Sequence, residues 1–92
     1  MDGIIESFLD NSAVRTEGMS RAVEAGQTDE IARLAHAFKS SAAQLGAHRL
    51  AERLKEMEAA AKEGSMAKVR EAFGSFLVEA AEAVAYLRRE AK

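Results

Sequence analysis

The chain has 92 residues, 48% of them hydrophobic but only 5% aromatic, with no Pro, Cys or Trp, and 13 basic residues against 15 acidic ones. So short a chain makes one small domain over 1–92 with little core to spare around a deep cavity, which places any chemistry on an outer face. A net charge of −2 draws it to neither nucleic acid nor an anionic membrane, and without Cys there are no disulfides, thiol nucleophiles or thiolate zinc sites.

Twenty alanines and the spacing of the larger apolar residues predict helix throughout, with no alternating run that would read as a strand. The first segment carries Ile5, Phe8, Leu9, Met19 and Val23, and is expected to form a short opening helix that bends near Asp10–Ser12 into a longer one. Gly26 followed by Gln27, Thr28 and Asp29 reads as a helix end and a new start. The second helix then carries Ile31, Leu34, Phe38, Ala42 and Leu45. Gly46 and Ala47 turn the chain into a third helix with Leu50, Leu54, Met57 and Ala61. Gly64 and Ser65 repeat the end-and-start signature before a fourth stripe of Met66, Val69, Phe73, Phe76, Leu77, Ala80, Val84 and Leu87. Amphipathic helices joined by such short turns predict an all-α, antiparallel up-down four-helix bundle with a short extra N-terminal helix. No apolar run reaches the roughly 20 residues that span a bilayer and no signal-peptide pattern opens the chain, so a cytoplasmic location is expected.

On the second helix the apolar stripe occupies one sector, and His36 points roughly 140–150° from its centre, toward solvent. Small residues share that face: Ala32, Ser40 and Ala43, with Lys39 about one turn further on. A low collar around one imidazole leaves room for a partner protein, although exposed His and Ala are also ordinary on any Ala-rich helix. The segment Ala35 to Ala47, AHAFKSSAAQLGA, resembles the signature of histidine-containing phosphotransfer (HPt) domains, approximately AHxLKGSSxxxGA. In that resemblance His36 takes the phosphoacceptor position, Phe38 the apolar one, Lys39 the basic one, Ser41 the small polar one, and Gly46 with Ala47 the closing pair. Ser40 departs from the pattern, standing where the family usually has Gly; its hydroxyl is expected to slow or narrow transfer without abolishing it.

Imidazole is the side chain whose pKa lies near neutrality, as a reversible phosphoryl carrier requires. A cation one helical turn away, Lys39, suits the charge on the phosphoryl oxygens. If 28–45 and 48–63 form an antiparallel hairpin, the residue opposite His36 lies near 57–59; Met57 belongs to the stripe, which leaves Glu58 to accept from Nδ1–H and free Nε2 as nucleophile. The resemblance also implies Gln or Glu at this distance. Glu58 has an alternative i,i+4 partner in Lys62, itself a candidate second cation. Ser40, Ala43, Gln44 and Gly46 are candidate partner-docking residues, with Arg33, Ala37 and Arg53 as further ones, each equally readable as plain surface or turn. His48 falls past the turn and reads as a surface or cap residue, and no metal site is expected.

The resemblance implies a phosphorelay intermediate, not a kinase, since no Gly-rich phosphate loop occurs. Its partners would be the receiver domains of a hybrid sensor histidine kinase and of a response regulator, with Mg²⁺ held by the receiver and no cofactor on this chain. The stripes account for one another, so a monomer is expected. The alternative is a docking module of the same fold that binds a receiver domain or other signalling protein without being phosphorylated.

Overall fold

The computed structural model describes residues 2–90, with the side chains of 2–9 and 90 excepted; Ile5, Phe8 and Leu9 therefore lie outside the described side chains. Four helices follow one another: α1 (Asp2–Ala25), α2 (Thr28–Gln44), α3 (His48–Glu63) and α4 (Met66–Glu90). The expected bend near Asp10–Ser12 is absent, and α1 is one continuous helix. Asp10 and Asn11 lie on its exposed side, where polar side chains are solvated without breaking the backbone ladder, and neither Pro nor a left-handed Gly interrupts it.

The three turns share one construction. Gly26, Gly46 and Gly64 have φ of 67°, 76° and 78°, the left-handed region in which a side chain is strained. In each, the glycine N–H returns to a carbonyl three residues back and the next N–H to one five back. At the central turn these are Gly46 N to Ala43 O at 3.0 Å and Ala47 N to Ala42 O at 2.9 Å, the Schellman closure. Thr28 lies inside α2, with Gln27 at its cap and no side-chain capping bond, whereas the Ser65 hydroxyl accepts from Lys68 N at 3.4 Å at the start of α4.

Tight turns force consecutive helices back along one another, and α2 packs most extensively on α3, then α3 on α4. The core holds Met19, Ile31, Phe38, Leu50, Leu54, Met57, Val69 and Phe76, all essentially without solvent contact. Phe38 and Phe76 meet edge to face at 5.6 Å and 77°, a favoured aromatic geometry. Leu77, expected in the core, is exposed. The inward face of α4 follows Val69, Ala72 and Phe76; Leu77 is turned about 100° from Phe76, onto the side where α1 meets α4 less closely. No described helix is long and apolar enough to cross a membrane.

Candidate functional site

Along α2 the residues Ile31, Ala35, Phe38 and Ala42 are drawn into the core, which leaves His36 on the outer side of the helix with its side chain 63% exposed. Opposite it on α3, Glu58 sits four residues beyond buried Leu54, about 40° around the helix, at the edge of the apolar stripe facing α2. Its side chain is only 10% exposed. Glu58 Oε2 lies 3.1 Å from His36 Nδ1. An ionised carboxylate can only accept, so a neutral His36 ring donates from Nδ1–H and keeps its lone pair on Nε2.

Two lysines converge on the same carboxylate. Lys39 Nζ donates to Oε1 at 2.8 Å, and Lys62 Nζ lies 3.1 Å from Oε2. These bonds hold the Glu58 carboxyl down to about 2, the Lys39 hydrogen bond being the largest cause; desolvation opposes it, and Lys62 and the field of both ammonium groups add to it. Glu58 is therefore charged throughout the neutral range. Two cations and one anion leave one net positive charge beside His36. The cross-hairpin and i,i+4 partners of Glu58 coexist in one cluster.

The surroundings are low. Ala43 and Gln44 are exposed on α2, and the exposed Ser40 turns its hydroxyl back onto its own helix, donating to the His36 carbonyl at 3.3 Å. Gly46 closes the hairpin ten residues from His36, about 15 Å along the helix axis, so it shapes the turn and does not border the imidazole. Arg53 pairs with Glu56 and, with Ala60 and Ser75, lines a groove between α3 and α4, away from His36. His48 opens α3 at the far end of the hairpin. Among the described residues no group of three or more His, Asp or Glu side chains is arranged to hold a metal ion.

One contact had no sequence signal. Arg15 of α1 donates to Ser41 Oγ at 2.7 Å, and its guanidinium lies 5.6 Å from the centre of the Phe38 ring. It fastens α1 to the helix that carries His36, across 26 positions of sequence that no local pattern links.

The sequence pattern of the Hpt domain matches residues 3–90. The chain belongs to the Hpt domain family. Members are phosphocarriers of phosphorelay signalling rather than kinases, and they interact with receiver domains. The fold is also that of the crystal structure of histidine-containing phosphotransfer protein B (HptB) from Pseudomonas aeruginosa PAO1, with a TM-score of 0.94 and 24% sequence identity over 98% of this chain and 78% of that one. A search among curated proteins found no significant match. This Hpt domain is thus a histidine phosphotransfer intermediate.

Proposed function

We propose that His36 is the phosphoacceptor, and that it takes a phosphoryl group from the aspartyl phosphate of one receiver domain and gives it to the aspartate of another. The observation that carries this reading is the exposed imidazole whose Nδ1 faces a buried, ionised carboxylate at 3.1 Å. The Nε2 lone pair attacks phosphorus as the bond from phosphorus to the aspartate oxygen breaks, and that electron pair leaves with the carboxylate. The ring becomes a phosphoimidazolium with its proton still on Nδ1, and Glu58 balances the new positive charge. Lys39 and Lys62, both on Glu58, leave one net positive charge in the cluster beside the ring, which favours the arrival of a dianionic phosphoryl group.

The chain needs no cofactor of its own in this reading, because the receiver supplies Mg²⁺ and its acidic residues. We assign the partners as the receiver domain of a hybrid sensor histidine kinase and that of a response regulator, acting on a cytoplasmic monomer. Ser40, Ala43 and Gln44 form the part of the docking surface nearest His36. Ser40 keeps this surface low by folding its hydroxyl onto the helix, which favours transfer over a purely docking role.

The test is transfer from a phosphorylated receiver domain to the wild type and to His36→Gln. Acid-labile, alkali-stable label on the wild type alone supports the reading. A wild type that binds phosphorylated receivers yet stays unlabelled would make the chain a docking module.

A further inference from the structure

The two lysines that share Glu58 are not equivalent. Lys39 is 29% exposed and holds Oε1 alone, at 2.8 Å. Lys62 is 67% exposed and shares Oε2 with His36 Nδ1, each 3.1 Å from that oxygen. We propose that Lys62 is the cation that leaves Glu58 to contact the phosphoryl oxygens, whereas Lys39 stays on Glu58 and acts only through it. This division rests on His36 being the phosphoacceptor.

Three physical considerations lead to it. When Nε2 takes the phosphoryl group, the ring gains a positive charge and Nδ1–H becomes a stronger donor to Oε2, the oxygen Lys62 occupies and Lys39 does not. At that moment a dianion appears beside the ring, so Lys62 loses its hold on Oε2 as a better acceptor arrives. Exposure decides which side chain can follow: Lys62 is largely in water already, while withdrawing Lys39 would strip a carboxylate that is only 10% exposed of its closest counter-ion. Lys39 is accordingly a positioning residue, and Lys62 the residue that touches the reacting group. The Lys39 hydrogen bond is also the main cause of the low Glu58 pKa, in keeping with a fixed role.

The experiment uses the full chain with phosphoramidate as donor, ammonia being the leaving group. Wild type, Lys62→Met, Lys62→Arg, Lys39→Met and His36→Gln are compared by label uptake, by phosphorus NMR of the phosphoimidazole, by nitrogen NMR of the unphosphorylated His36 ring, and by thermal melting. Lys62→Met is expected to melt as wild type does and keep the His36 tautomer, but to take up label about tenfold more slowly with a displaced phosphorus resonance, and Lys62→Arg to restore most of the rate. Lys39→Met is expected to shift the tautomer ratio while leaving the phosphorus resonance of its labelled form at the wild-type position. The division is overturned if Lys62→Met matches wild type in uptake and resonance, or if Lys39→Met displaces the phosphorus resonance with the tautomer unchanged. Label on His36→Gln would instead overturn the phosphoacceptor reading itself.

Discussion

Replacing Glu58 by Gln keeps the shape of the side chain and removes its charge, which separates the two tasks the carboxylate performs for His36. The first is choosing the tautomer. A hydrogen bond to a charged acceptor contributes about 1 kcal/mol more than one to a neutral acceptor, which corresponds to about a fivefold change in the ratio of Nδ1–H to Nε2–H forms. The second is balancing the imidazolium that forms during transfer. With Oε2 3.1 Å from Nδ1 and the ring well exposed, a Coulomb interaction over about 4 Å at an effective dielectric of about 40–80 amounts to about 1–2 kcal/mol. Together these amount to about 2–3 kcal/mol and predict that Glu58→Gln slows phosphoryl uptake about 30- to 150-fold while binding a receiver within about twofold of wild type. Nitrogen NMR reads the tautomer, and single-turnover transfer from a phosphorylated receiver reads the rate. An unchanged tautomer ratio with a rate within about twofold of wild type would refute the reasoning, because it would mean that the carboxylate neither orients the ring nor balances its charge.

Stability should carry the mark of Glu58 in acid. Its folded pKa lies at about 2, below the ordinary 4.5, so its contribution is fully present above about 4.5 and disappears as the pH falls toward 2. Urea midpoints of wild type and Glu58→Gln should converge over that window, and parallel profiles would contradict the assignment; Glu30, which Arg33 also holds low, is common to both proteins and cancels. Phe38→Ala removes a fully buried ring that meets Phe76 edge to face and lies beneath Arg15, a loss of about 3–5 kcal/mol. Its melting temperature should fall by at least about 15 °C, and a fall of under about 5 °C would show that the core closes around the gap.

Much of the site is legible in the sequence because it is written in helical periodicity on both sides of one turn. The outward position of His36, the position of Glu58 opposite it, and Lys62 one turn beyond Glu58 all follow from counting away from Gly46. The count shows that Lys62 is within reach of Glu58, but not that its bond coexists with those from His36 and Lys39, since sharing one carboxylate is a three-dimensional property. Arg15 is invisible for the same reason: Ser41 and Phe38 become its neighbours only when α1 docks. The bend expected in α1 has a local origin, a polar run from Asp10 to Ser12 that looks like a break, although Asp10 and Asn11 are exposed, Ser12 is buried, and the helix continues through all three. Leu77 is the converse case, an apolar residue within the expected stripe whose burial depends on how closely two distant helices approach.

The imidazole, the carboxylate and both lysines all belong to the hairpin of α2 and α3, and among the described side chains those of α1 and α4 contribute no atom to the cluster. Bringing these groups together costs the chain entropy of closing only a short loop, a cost that rises slowly with loop length. In folding, the cluster can assemble with its hairpin, ahead of the docking of the outer helices. In evolution, α1 and α4 can exchange surface residues to change partners while the chemical unit stays intact, provided that they keep the inward side chains that hold the hairpin in place.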